Sequence, residues 1–188
     1  MKKIILSICI ISIIGVAIFL IQTKKSKQFQ PKYSPPNDKN NSMKITSPNF
    51  SKEGMIPKKF TCDGEGINPE LEISGAPEET KSLVLIVDDP DAPMGNFNHW
   101  VMWNIKPSVK KIGENSYPPE AVSGINSGEK NSYVSPCPPS GIHRYYFKIY
   151  ALNILLNLDA SSRKNDVEKA MSSHIIDQAE LMGKYSRN

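Results

Sequence analysis

The segment Leu83–Asp91, LVLIVDDPD, restricts the fold more than any other stretch of the chain. Five apolar residues, Leu83 to Val87, run unbroken into Asp88, Asp89 and Asp91. Side chains of an extended chain alternate between faces. Leu83, Leu85, Val87 and Asp89 therefore share one side, and Val84, Ile86 and Asp88 the other. Both sides are apolar up to the acids, which predicts a strand covered on both faces in the middle of a sheet. Pro90 and Pro93 bracket Asp91, fix φ at about −65° and forbid a helix. The strand thus ends in a stiff acidic loop. After Met94–Asn98, His99 opens a second apolar run that contains Trp100 and Trp103.

The remaining chain is punctuated by Pro and Gly between short apolar runs and has no internal repeat, a pattern that points to an all-β sandwich with minor α. Predicted strands are Lys44–Thr46, Lys58–Thr61, Leu71–Ile73, Ser82–Val87, Trp100–Ile105, Arg144–Ala151 and Ala179–Tyr185. Val167–His174 is the predicted helix, capped by Asn165 or Asp166. The long connection Lys106–Pro139 is expected to be either functional or poorly ordered.

Three regions follow from composition. Met1-Lys2-Lys3 precedes an apolar run from Ile4 to Ile21 that spans about 27 Å as a helix, enough to cross a hydrocarbon core. Residues 1–22 are read as an uncleaved transmembrane anchor, with a cleaved signal segment as the alternative, since no small-residue cleavage site appears. The domain that follows is expected on the extracytoplasmic side. Residues 23–43 are Lys-, Asn- and Pro-rich and read as a disordered basic tether. Residues 44–188 form the folded domain. The overall charge of +4 conceals a split of roughly +6 in the first 43 residues and about −2 in the rest. The folded part lacks the basic stripe that nucleic acid requires, so no nucleic-acid partner is expected.

Alternation also suggests where chemistry collects. His99 would share a face with Val101, Trp103 and Ile105, and His143 with Tyr145, Phe147 and Ile149. Asp89, His99, and His143 with Tyr145 each end an otherwise apolar face. If the three strands are neighbours, these polar groups meet at one end of the sheet. Duller readings stand beside this one. Trp100 and Trp103 read as core aromatics, His174 as a surface or capping residue, and Asp63 and Glu65 as a solvated turn.

Asp89-Pro90-Asp91-Ala92-Pro93, Asn98-His99-Trp100-Val101 and Pro136-Cys137-Pro138-Pro139-Ser140-Gly141-Ile142-His143-Arg144-Tyr145 together resemble the phosphatidylethanolamine-binding protein family, in its bacterial and archaeal Raf kinase inhibitor-like branch. Phe60-Thr61-Cys62-Asp63-Gly64 and Ala179–Tyr185 fit the same branch. The resemblance implies a sandwich of two antiparallel sheets with a small anion-binding pocket at one end. Its wall would be Asp89, Asp91, Ala92, Pro93, His99, Pro138, His143 and Tyr145. Val134 and Ser135 stand where relatives often carry glycines, which bears on the shape of the pocket mouth. Eukaryotic relatives have a C-terminal helix near the pocket. This chain ends soon after its last strand, so functions tied to that helix are not expected.

Two carboxylates facing a phosphate would repel it, so Asp89 and Asp91 are expected behind the histidines. There they would accept hydrogen bonds from His99 or His143 and make the rings easier to protonate. Tyr145 would add a neutral donor. With no lysine or arginine in the set, binding is expected to be modest and pH-sensitive. In an oxidising compartment Cys62 and Cys137 can form a disulfide near the pocket, although many relatives keep free thiols. The leading reading is a non-enzymatic binding or regulatory module for an anionic or phosphorylated ligand, with no cofactor or metal. The alternatives are a metal- or carboxylate/His-dependent hydrolase and an inhibitor of a protein partner. No nucleophile elbow, zinc-protease motif or phosphate-cradling Gly-rich loop supports an enzyme.

Overall fold

The structure, a computed structural model, describes residues 42–187. The anchor, and all of the tether except Ser42 and Met43, lie outside the described residues. Among the described residues, eight strands form two antiparallel sheets. The smaller holds β1 (Lys44–Thr46), β2 (Leu71–Ser74) and β5 (Lys111–Ile112), in the order β1-β2-β5. The larger holds β3 (Ser82–Asp89), β4 (Phe97–Ile105), β6 (Val122–Ser123), β7 (His143–Leu152) and β8 (Ile175–Tyr185), in the order β6-β4-β3-β7-β8. β3 is central, and every one of its residues is buried, as its doubly apolar sequence predicts.

The main core lies between the sheets. Ile45, Leu71, Ile73 and Ile112 of the small sheet meet Leu83, Leu85, Val87, Trp100, Met102, Phe147, Ile149 and Leu181 of the large one. Met43 is also buried there, and its N–H donates to Asp177 Oδ2 at 2.9 Å. Gly183 stands opposite Tyr145 in the β7–β8 ladder, and its missing side chain admits Phe50 and Ile56.

The second face of β3 is also covered. Asp88 is 2% exposed, yet its carboxylate accepts from Lys164 Nζ at 2.8 Å and Asn98 Nδ2 at 3.3 Å, with Lys148 Nζ 3.6 Å away. Lys164 opens helix α1 (Lys164–Met171), which buries Val167 and Met171. A buried carboxylate is tolerable only when paired in this way.

Two predicted elements need correction. Lys58–Thr61 is not a strand, because Phe60 N–H bonds Pro57 O, Thr61 N–H bonds Lys58 O, and Lys58–Phe60 closes into a single 3-10 turn. Local hydrogen bonds won over the sequence's strand propensity. α1 starts earlier than expected, with Asp166 in its first turn accepting from Arg163 N–H. It ends before His174, whose N–H bonds Met171 O and whose Nδ1 lies 3.2 Å from Asn153 Oδ1. The connection Lys106–Pro139 contains β5 and β6 and is pinned at many points.

Cys62 and Cys137 form a disulfide with a Cα–Cα distance of 5.4 Å, and Cys62 N–H also donates to Pro136 O. Asp63, read as a solvated turn residue, accepts from Tyr185 Oη at 2.6 Å and pairs with Arg187. The segment after the 3-10 turn is thereby fastened to the end of β8 on one side and to the Pro136–Pro139 run on the other.

Candidate functional site

A β-bulge positions the first functional side chain. Val87 pairs with Trp100 and Asp88 with Asn98, which leaves His99 as the extra residue in β4. Bulges bend a strand and re-aim side chains. His99 accordingly turns to the inter-sheet side, with its ring 4.8 Å from Phe97 and edge-on to Tyr145 at 5.2 Å. Strict alternation grouped His99 with Val101 and Trp103. Instead, Trp100 and Met102 lie in the inter-sheet core while Val101 and Trp103 do not. Ile105 returns to that core through a second irregularity at Asn104, which adopts φ 56° and exchanges two hydrogen bonds with Leu156. Asn is among the residues best suited to that left-handed conformation.

β3 ends at Asp89 beside the start of β7 at His143, so the two meet directly. His143 Nδ1 lies 2.7 Å from Asp89 Oδ2, with both side chains buried. Asp89 Oδ1 accepts the Asp91 N–H at 2.8 Å, which closes the Pro90 turn. Asp89 and His143 line a cavity of about 180 Å³ together with Ala92, Pro93, Phe97, His99, Val134, Ser135, Cys137, Pro138 and Pro139. Pockets for drug-sized ligands span about 300–1,000 Å³, so this one suits a single small group.

Of the residues expected in the wall, Asp89, Ala92, Pro93, His99, Pro138 and His143 are brought together there. Asp91 and Tyr145 are not. Asp91 accepts from Arg144 through the backbone N–H at 2.9 Å, Nε at 2.8 Å and Nη2 at 2.6 Å. This fork holds its carboxyl at a pKa of about 2 and fixes the acidic loop to β7. Tyr145 is 1% exposed and lies behind the wall, 5.2 Å ring to ring from His99 and 6.5 Å from His143. Its hydroxyl has no hydrogen-bond partner among the described residues. Burial, and then the Asp89 charge, push the phenol up, so it keeps its proton.

The partner of His99 also differs from expectation. Its Nδ1 lies 2.7 Å from Val134 O, not from a carboxylate, while Val134 N–H donates back to His99 O at 3.0 Å. Burial pushes the imidazole below its ordinary pKa. The Val134 carbonyl, Asp89 and Asp88 oppose that shift, and His143 adds to it. A carbonyl oxygen only accepts, so Nδ1 carries the proton and Nε2 of the neutral ring is bare.

Sequence reasoning missed Phe97, Ser135, Cys137 and Pro139 as wall residues, and the role of the Val134 backbone. It also missed Asn126, which is 1% exposed. The Asn126 amide donates to His99 O and Ser132 O, and its Oδ1 accepts from the N–H groups of Gly128 and Lys130. It thereby shapes the loop that delivers Val134 to His99. The length of the connection was the sole signal available for it.

Comparison with known proteins agrees with this fold. Residues 46–186 match the phosphatidylethanolamine-binding protein family. The chain is 46% identical over 154 residues to a UPF0098 protein of Pyrococcus horikoshii, covering 78% of this chain and 77% of the relative. It is 44% identical over 150 residues to a UPF0098 protein of Methanothermobacter thermautotrophicus, covering 77% and 99%. A crystal structure from Chlamydia trachomatis, described as a phosphatidylethanolamine-binding protein homologue, superposes with a TM-score of 0.76 at 44% identity, covering 79% of this chain and 99% of that one. Escherichia coli YbcL, described as a member of the mammalian family, gives 0.74 at 28% identity, covering 78% and 99%. With the sandwich, the three motifs and the family match in agreement over residues 46–186, the chain belongs to the phosphatidylethanolamine-binding protein family.

Proposed function

We propose that the domain is a non-enzymatic binding module whose cavity receives a small oxyanion, such as a phosphate-bearing group, and that the N-terminal segment holds it at a membrane. The observation that carries this reading is the pair of imidazoles delivered by different strands. Each has Nδ1 occupied by the protein, at Val134 O and at Asp89, and each lines the same small cavity. Two fixed rings lining one small space suit the oxygens of a compact anion once a ring is protonated, since an imidazolium donates from both nitrogens. The apolar run Ile4–Ile21 supports the membrane tether.

The test is a titration of the purified protein with inorganic phosphate, repeated for His143→Ala, together with metal analysis. Saturable phosphate binding that the substitution weakens at least tenfold supports the reading. Stoichiometric metal with unchanged phosphate binding would favour the hydrolase, for which the Asp89–His143 pair could serve as a base.

A further inference from the structure

Among the described residues no permanent cation lines the cavity. Arg144 is spent on Asp91, and Lys148 and Lys164 lie with Asp88 on the other face of the sheet. The wall carries a buried carboxylate, Asp89, and two imidazoles whose Nε2 atoms have no protein partner among the described residues. Neutral His99 offers its bare Nε2 as an acceptor, which is the wrong polarity for an oxyanion. We infer that an oxyanion enters this cavity together with a proton, and that Nε2 of His99 takes it. The inference rests on the oxyanion reading above and adds how the site recognises and regulates its ligand.

The groups around His99 decide the matter. From β3 it is faced by Asp89, with the Asp88 charge acting from the other side of the sheet, from β7 by His143 and Tyr145, from the loop by the Val134 carbonyl, and from its own strand by Phe97. The two aspartates favour a charged ring, and burial opposes it more strongly. An arriving anion supplies the counter-charge that burial removed, so the ring changes from acceptor to donor as the ligand binds. Among the described residues the His99 ring meets only a neutral carbonyl, at 2.7 Å, so no protein carboxylate is hydrogen-bonded to it before the anion arrives. The consequence is linkage. Affinity should fall by roughly tenfold for each pH unit at which the free ring is neutral.

Sulfate is the appropriate probe, since it does not itself titrate near neutral pH. The full-length chain in detergent micelles is titrated with sulfate by calorimetry at about pH 7.5 in two buffers of different ionisation enthalpy. Uptake of about one proton per sulfate is expected, falling to near zero in His99→Gln, whose amide donates without gaining charge. Nitrogen-15 NMR of the wild type should show Nε2 of His99 passing from bare to protonated on saturation, a readout that does not depend on the variant folding. Binding without proton uptake overturns the inference and leaves the oxyanion reading standing. Uptake that persists in His99→Gln, or an unchanged Nε2 signal, overturns the assignment to His99. Absence of sulfate binding both at about pH 5.5 and at pH 7.5 overturns the oxyanion reading and the inference with it.

Discussion

Asp89 and His143, 54 positions apart, meet across the β3–β7 seam with Oδ2 2.7 Å from Nδ1. Both side chains are largely buried, so removing either one leaves its partner short of a hydrogen bond. Asp89→Ala leaves a buried imidazole N–H and the Asp91 N–H without their acceptor. The expected loss is about 1–3 kcal/mol, read as a shift in denaturant midpoint. Asp89→Asn, which keeps an acceptor oxygen, should lose less. Equal losses for the two variants would show that this pairing contributes little to stability.

The neighbouring acid tests the opposite face. Lys164→Met removes the closest cation from buried Asp88, leaving Lys148 at 3.6 Å and Asn98 as partners. Breaking a buried pair from one side is costly, and the remaining partners offset part of it, so about 2–4 kcal/mol is expected. Phosphate affinity should stay within about twofold of wild type, because Asp88 points away from the cavity. A large loss of affinity would mean that the two faces are coupled through the strand.

The Asp91–Arg144 fork predicts an acid limb. Asp91 has a folded-state pKa of about 2, depressed chiefly by the Arg144 hydrogen bonds. A depressed carboxyl contributes stability that is present above its unfolded value of about 3.9 and lost as pH falls through the folded value. Arg144→Met should therefore be less stable than wild type from about pH 5 to 7, with the gap closing between pH 4 and 2. Thermal melts across that range measure it, and a gap independent of pH would assign the effect to packing instead.

Gly183→Ala should destabilise by about 1–3 kcal/mol, since the new Cβ would sit 2.7 Å from side-chain atoms of both Phe50 and Ile56. Combining it with Ile56→Ala, which removes both Cγ1 at 2.7 Å and Cδ1 at 3.0 Å, should relieve part of the crowding, so that the double variant loses less than the sum of the two single losses. Losses that simply add would place the strain in the β8 backbone.

Reducing the Cys62–Cys137 bridge should cost about 2–5 kcal/mol, because it opens a loop closed over 75 positions. It should also weaken phosphate binding, since Cys137 is part of the cavity wall. Paired unfolding and binding measurements with and without a thiol reductant check both expectations. Lost stability with unchanged affinity would confine the bridge to holding the fold.

Much of this molecule was legible in the linear chain. The unbroken Leu83–Val87 run could only be a strand covered on both faces, and it is the middle of the larger sheet. The alternation of His143, Tyr145, Phe147 and Ile149 put them on one side, and Tyr145, Phe147 and Ile149 lie in the core with His143 in the cavity wall. The 3-10 turn at Lys58–Phe60 was not legible, because a turn of local hydrogen bonds and a short strand draw on the same residues. Nor were β5 and β6, which are too short to show a period.

By itself the sequence determined the strand that must be central, the stiff acid-bearing loop after it, and the histidines that would sit at strand ends. These follow from side-chain period and from the fixed φ of proline, both properties of neighbouring residues. Only the tertiary structure decided what each polar group touches. A one-residue bulge turned His99 across the sheet, a loop shaped by Asn126 brought a carbonyl to its ring, and Arg144 claimed Asp91 before any histidine could. A bulge arises from the register between two strands, and a hydrogen-bond partner from whichever group folding brings within about 3 Å. Neither is a property of any single stretch of chain.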